Sequence, residues 1–493
     1  SGAADAYRAA CALAPQNAQL ANNLGSALNE SGDARGAAES YRRAVELEPR
    51  YALAWHNLAL ALRDLGDEAG AFEALRGAIG ADSQFAPAWQ QFAQSLERTR
   101  FEAWDAQAER DLEQALARSD IDPQPLAEAA ASLFLLDPAA APAVAALTRG
   151  EGAEWTSPER LAPLARPLLL TLLEQTLVPD PAFEAFARGL RSALLDAWRR
   201  GAPHPSPAFA ALACALAQNC FLNEYVWPES PPESAALPAL EAEARAGKDP
   251  LVTVLLACFR PLRLVPGLRR PPGANDALAR LWRRQMDEPA EEQRLRAGLG
   301  GLTPISDEIS LAVQRQYEEN PYPRWHRLPA SFASAYPVRQ AIRALFPHEP
   351  PDAFDLPETP DILIAGCGTG FQTAVTGRRN PGARIMAVDL SATSLAYAAR
   401  SARELNVSNV EFAQADLLQL GGMGRRFHVI ECAGVLHHLR DPLEGWRMLR
   451  SLLAPRGVMK VALYSEIARR GVVQARALAA RHGLGTDLAA VRE

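Results

Sequence analysis

Shifted by 34 residues, the apolar positions of the first hundred residues fall on one another. Leu24, Leu58 and Phe92 coincide, as do Gly25, Ala59 and Ala93, and then Leu28, Leu62 and Leu96. Trp55 matches Trp89, and Gly32 matches Gly66. A second set follows the same shift: Ala3, Ala37 and Ala71; Tyr7, Tyr41 and Leu75; Ala10, Ala44 and Ala78; Pro15 and Pro49. The spacing within each set is helical, so the pattern predicts pairs of helices in which small residues allow close approach and large ones fill the seam. The prolines end each second helix. From 99 to about 300 the chain is rich in Ala and Leu at helical spacing, as in PAFEAFARGLRSALLDAWRR, and is broken by APHPSP, WPESPPESAALP and RPLRLVPGLRRPPG. That pattern predicts helices of roughly 12 to 20 residues joined by Pro-rich turns. The densest aromatic and amide stretch, around Asn219, Asn223, Tyr225 and Trp227, reads as a packed core helix with capped amides.

After PHEPPDAFDLPETP the period changes. Short apolar runs alternate with helical ones: a strand at Ile362–Ala365, a second at RIMAV ending in Asp389, a third at VEFAQ, a fourth at HVIEC and a fifth at VMKVALYS. Helices are expected from Ser391 to about Leu405 and from about Pro442 to Leu453. Such Ile/Val-rich runs predict a parallel sheet covered on both faces. The predicted architecture is thus multidomain: an all-α solenoid over 1–98, an α-helical region over 99–300, an aromatic and Pro-rich lid and linker over 301–360, and an α/β Rossmann-like domain over 361–493.

The 34-residue pattern resembles the tetratricopeptide repeat, a helix–turn–helix unit that stacks into a superhelix with a concave surface for extended peptides. The resemblance implies a protein or peptide partner on that surface. Asn23 and Asn57, one repeat apart and just before the seam leucine, are the expected peptide-binding rungs, with Gln91 in the third place. The chain opens inside the second helix of a repeat, so earlier repeats are expected.

Composition narrows the options. At 493 residues several cores are expected. A net charge of −7, with no Arg cluster longer than a pair, predicts no nucleic-acid footprint. The six cysteines, Cys11, Cys214, Cys220, Cys258, Cys367 and Cys432, form no metal-binding spacing and read as buried free thiols in a cytoplasmic protein. No apolar run reaches membrane-spanning length, and neither a membrane nor a metal is expected among the partners.

The stretch DILIAGCGTGFQ carries the chemistry. In a parallel sheet, ligands bind beyond the carboxyl ends of the strands. Those ends bring Gly366, Gly368 and Gly370 together with Asp389, Asp416 and the 433–438 segment, a nucleoside-binding set. Asp389 follows Gly370 by 19 residues, a separation that suits a carboxylate accepting both ribose hydroxyls. A dinucleotide fingerprint fails in both registers, because its third glycine would fall on Phe371 or Thr373.

In their order and spacing, ILIAGCGTG, AVDLS, QADLL and VIECAGVLHHLRDP resemble the four motifs of class I S-adenosylmethionine-dependent methyltransferases, over residues 361 to about 465. The resemblance implies S-adenosyl-L-methionine as cofactor. Ala365, Gly366, Cys367, Gly368, Gly370 and Gly434 would lie against it, with Asp389 and Leu390 at the ribose and Asp416 and Leu417 at the adenine edge. His437 and His438 are the candidate bases, His437 singled out, with Glu431 behind them on the fourth strand; packing or helix-entry capping is the other reading of His437. Tyr317, Tyr322 and Arg324, in YEENPYPRW, form either a lid touching the cofactor or a staple to the helical region. NPYP in that stretch is not the Asn-Pro-Pro-Tyr motif of amino-methylating enzymes, which belongs after the fourth strand. The chain departs from the family twice. Ile364 stands where an acid often precedes the first glycine, and the final two strands of the family's seven-stranded sheet are expected to be missing. The expected activity is methyl transfer, to nitrogen or oxygen, on a protein or peptide recruited by the repeats. A small-molecule methyltransferase using its repeats for assembly, and a non-catalytic cofactor-binding scaffold, are the alternatives.

Overall fold

A computed structural model describes residues 2–483 except 98, 202–205, 273–275, 320, 326, 330, 331, 333, 334, 351, 352, 355 and 466. The closing LAAVRE stretch lies outside the described residues. The chain divides into two compact units, 1–189 and 190–493.

The first unit opens with the helices Gly2–Leu13, Ala18–Glu30, Ala34–Leu47, Ala52–Asp64, Glu68–Ala81 and Ala86–Leu96. Equivalent residues make equivalent contacts. Asp33 caps one helix by accepting from the Gly36 amide at 2.9 Å, and Asp67 does the same for Gly70 at 2.9 Å. The Trp55 indole donates to the Pro49 carbonyl and Trp89 to Ser83, each at 2.9 Å. A Cβ on Gly25 would lie 2.7 Å from the Tyr41 ring, so the small residue there is the condition for the helix pair to close. The repeat is therefore present in the hydrogen bonds as well as in the residue types.

In the second unit, the Pro207–Leu222 helix is almost wholly buried, Gln218 and Asn219 included. The Tyr225 hydroxyl reaches the Ala257 carbonyl and Gln285, each at 3.2 Å. The amide- and aromatic-rich stretch is thus core, as its pattern suggests. Five of the six thiols are buried, Cys11 being partly exposed, and all six are free.

Among the described residues five parallel strands follow: β1 Asp361–Ala365, β2 Arg384–Asp389, β3 Val410–Gln414, β4 Phe427–Ala433 and β5 Leu453–Ala462. Their order across the sheet is β3-β2-β1-β4-β5, so the chain reverses direction of travel between β1 and β4. Alternate side chains feed two cores. Leu363, Val388, Ile430 and Cys432 face one way, and Ile362, Ile364, Ile385 and Val429 the other. The fifth strand starts earlier than its apolar run predicts, because Leu453 already pairs with Phe427; the register then shifts and resumes at Val458 with Val429. Arg456 at φ +57 and Gly457 make the irregularity, which hid the beginning of the strand in the sequence.

Residues ahead of the sheet also belong to its packing. The Leu302 amide donates to the Gln414 carbonyl at 2.8 Å and the Gln414 amide to that of Gly300 at 3.1 Å, which pairs this segment with the outer edge of β3. The Glu288–Gly298 helix is pinned to the Ala392–Glu404 helix by buried Arg400, which reaches Glu292 at 2.9 Å and Glu404 at 3.0 Å.

Candidate active site

At the carboxyl ends of the strands, where the order reverses, lies a cavity of about 320 Å³. Its floor is the turn after β1. Gly366, Gly368 and Gly370 have φ of +74, +51 and +83, a region that side chains with a Cβ avoid. The three have different surroundings. A Cβ on Gly366 would meet Val435 at 2.2 Å, and one on Gly370 would meet Ala398 at 2.5 Å. On Gly368 it would make only an ordinary contact, with the Tyr322 carbonyl oxygen at 3.7 Å, so no neighbour crowds this glycine. Gly366, Cys367 and Gly368 line the cavity; Ala365, fully buried in the core, and Gly370, packed under a helix, do not.

Asp389 at the end of β2 accepts from the Gly368 amide at 2.8 Å and from the Ser391 amide at 2.9 Å, which ties the second strand to the turn. Burial raises its carboxyl above the usual range, while the two backbone donors pull it back. Asp416, after β3, accepts from the Leu418 amide at 2.9 Å, and its own amide donates to Thr303 at 2.8 Å. Leu390, Leu417 and Gly434 line the same space, so the four motifs converge there.

The opposite wall comes from before the sheet. Ile309, Val313 and Tyr317 of the Glu308–Glu319 helix and then Tyr322 line the cavity. This helix is docked on the β2 loop. The Ser391 hydroxyl donates to the Tyr317 carbonyl at 3.0 Å, and Glu318 accepts from the Ala392 amide at 2.7 Å and from the Thr393 hydroxyl. The strap that follows is fastened to the glycine turn. Its Trp325 indole donates to the Thr369 carbonyl at 2.9 Å, and the Thr369 hydroxyl donates to the Pro323 carbonyl. Arg324 turns away from the cavity, towards the Phe221 ring at 5.4 Å and Glu224 at 3.5 Å. Arg324 thus contacts the helical region, while Tyr317 and Tyr322 line the cavity.

The adjacent histidines also part. His438 lines the cavity, its ring 6.2 Å from that of Tyr317. His437 does not; its ring lies 4.0 Å from that of Tyr464, and neither of its buried nitrogens has a hydrogen-bond partner among the described residues. Desolvation holds both imidazoles below the ordinary range, helped at His438 by Arg469 and at His437 by His438 and Arg469. Sequence reasoning missed Thr303, Glu318 and Trp325 as supports of the cavity walls, because their contacts join stretches far apart in the chain. Among the described residues no group of His, Cys, Asp and Glu could hold a metal ion.

Residues 363–459 match the family model described as a methyltransferase domain. Residues 25–66 match a TPR repeat and 52–85 a tetratricopeptide repeat. An uncharacterized protein of Synechococcus is 34% identical over 185 residues, which is 34% of this chain and 40% of that protein. A malonyl-[acyl-carrier protein] O-methyltransferase of Halalkalibacterium halodurans is 38% identical over 114 residues, 22% of this chain and 40% of that one. The chain thus spans well under half the length of these two relatives. Among solved structures, PKMT2 of Rickettsia typhi in complex with AdoHcy is similar at 23% identity and a TM-score of 0.28, over 35% of this chain and 32% of that one. The chain carries a class I S-adenosylmethionine-dependent methyltransferase domain together with tetratricopeptide repeats.

The cavity fits that cofactor in size and in charge. Its volume lies in the range of small-molecule sites. Its lining includes the carboxylates Asp389, Asp416 and Glu431, with no Lys or Arg among the described lining residues, a balance that suits a ligand bearing sulfonium and ammonium charges. Gly368 leaves backbone open to contact.

Proposed function

We infer that this methyltransferase acts on a side chain of a protein or peptide recruited through the repeats. The observation that carries the reading is the two-walled cavity, with the cofactor motifs on one side and Tyr317 and Tyr322 on the other, and with His438 and Tyr464 also in its lining. Bound S-adenosylmethionine supplies a methyl group on a sulfonium, whose departure needs no proton. The chain's work is then to bind, to orient and to exclude water, which is where most of the acceleration in such a transfer lies. Asp389 would hold the ribose and Asp416 with Leu417 the adenine edge, while Gly366 and Gly368 let the amino-acid end lie against the backbone. The aromatic wall would exclude water and guide the acceptor. Where the acceptor enters protonated, His438, neutral and facing the cavity, is the base these contacts favour over His437.

The repeats support a protein acceptor. Asn57 donates to Asn22, the neighbour of the expected rung Asn23, at 3.0 Å, and Arg63 donates to Gln91 at 2.5 Å, so polar side chains link successive repeats near the expected rungs. Such side chains offer donors and acceptors to an extended backbone. The test uses methyl-labelled S-adenosylmethionine, the full native chain and a lysate of the source cell. Label in a discrete protein band supports the reading, and label confined to the small-molecule extract overturns it. Label in neither favours a non-catalytic scaffold. Paired Asn23→Ala and Asn57→Ala changes should lower labelling of that band several-fold with cofactor affinity unchanged. Equal labelling removes the peptide-ladder assignment.

A further inference from the structure

We propose that Glu431 on β4 is the counter-ion of the cofactor's α-ammonium group, taking over from the neighbouring strand a carboxylate that β1 lacks at Ile364. This rests on the assignment of S-adenosylmethionine to the cavity. In the sheet register Ile364 pairs directly with Glu431, and the two side chains leave the sheet on the same face. The apolar position two residues before the first glycine therefore has a carboxylate beside it, one strand spacing of about 4.8 Å away.

Three further observations point the same way. Glu431 lines the cavity, and the other two lining carboxylates are committed elsewhere along the sheet edge: Asp416 beyond β3 and Asp389 at the end of β2. Across the strand order β3-β2-β1-β4, the carboxylates run from the adenine edge at Asp416 through the ribose at Asp389 to the amino-acid end at Glu431, beside the glycine turn. Asp389 and Glu431 stand two strands apart, roughly 10 Å, and two flexible-ended carboxylates at that separation bracket a ribose joined by five single bonds to an ammonium. Glu431 is also positioned and not fully used. Gln372 donates to it at 2.9 Å and the Thr376 hydroxyl lies 3.3 Å from both its oxygens, contacts that come from the first turns of the Phe371–Arg379 helix. A carboxylate offers about four acceptor sites, so room is left for a charged donor. With no Lys or Arg among the described lining residues, nothing cationic on the cavity wall competes for it.

The test compares three ligands on the full chain by calorimetry: S-adenosylhomocysteine, its analogue with hydrogen in place of the amino group, and 5′-methylthioadenosine. Wild-type protein should prefer S-adenosylhomocysteine to the deamino analogue by tenfold or more, the scale of a charge-assisted hydrogen bond. Glu431→Gln should erase that preference and leave methylthioadenosine binding as it is. The exchange Ile364→Glu with Glu431→Ile should restore the preference from β1. Loss of affinity for all three ligands alike, or an undiminished preference in Glu431→Gln, overturns the proposal. Should Glu431→Gln fail to fold, Glu431→Asp, which keeps the charge and withdraws it, takes its place with the same two readings. A wild-type chain that binds none of the three overturns the cofactor assignment itself, an outcome distinct from wild-type binding without dependence on Glu431.

Discussion

Glycine does different work in the repeats and in the sheet domain. Gly25 has an ordinary helical backbone, and it is small because the Tyr41 ring occupies the space where its Cβ would be. Gly366 combines a positive φ with a Cβ position already taken by Val435. In the first case a residue type serves helix packing and recurs as Ala59 and Ala93 in the next repeats. In the second it serves a backbone path that occurs once in the domain, and no alanine stands in for it. Small residues in a repeat are tuned by neighbours, whereas those in a binding turn are dictated by torsion and contact together.

The sharpest way to break this contrast is Gly366→Ala. Left-handed backbone costs an alanine about 1–2 kcal/mol, and overpacking against Val435 about 1–3 more. Cofactor titration should show binding lost or weakened by two orders of magnitude, and near-native affinity would refute the reading of the turn. Next comes Asp389→Ala, which removes the acceptor for two backbone amides and the ribose anchor. A loss of about 1.5–3 kcal/mol in cofactor binding is expected by calorimetry, and unchanged affinity would overturn its role. Gly25→Ala should lower the unfolding midpoint of the repeats by an overpacking penalty of about 1–3 kcal/mol while cofactor affinity stays constant. A parallel loss of cofactor binding would show that the two regions are not separable in this way.

The smallest effect concerns pH. Burial lowers the folded values of His437 and His438 beneath their ordinary value of 6.5. The unfolded chain therefore takes up protons first as pH falls. The stability these rings contribute is present above that value and is lost as pH drops through it towards the folded values. Thermal unfolding between pH 7.5 and 5.5 should show a falling midpoint, and a His437→Phe, His438→Phe variant should flatten the fall. An equal fall in the variant assigns the pH dependence elsewhere.

Much of this was legible in the residues because it is local or periodic. The 34-residue shift marked the paired helices of the repeats, and Asp33 with Asp67 and Trp55 with Trp89 repeat their hydrogen bonds at that interval. The glycine turn, Asp389 and Asp416 were readable because strand, turn and helix follow one another within a few residues. The first residues of β5 were not, since the Arg456–Gly457 irregularity interrupts the alternation that marks a strand.

What the amino-acid sequence by itself determined was the inventory: two kinds of domain, a ligand turn, and the carboxylates and histidines around it. Only the tertiary structure decided how these divide their tasks. The cavity took in His438 and left out its neighbour, and the tyrosines of the strap faced inward while Arg324 turned to Glu224. Glu431 came to stand beside Ile364, although 67 residues separate them in the chain. The physical reason is register. Side-chain direction alternates along each strand, but which residue of another strand lies alongside follows from packing of the whole sheet, and no local pattern encodes it.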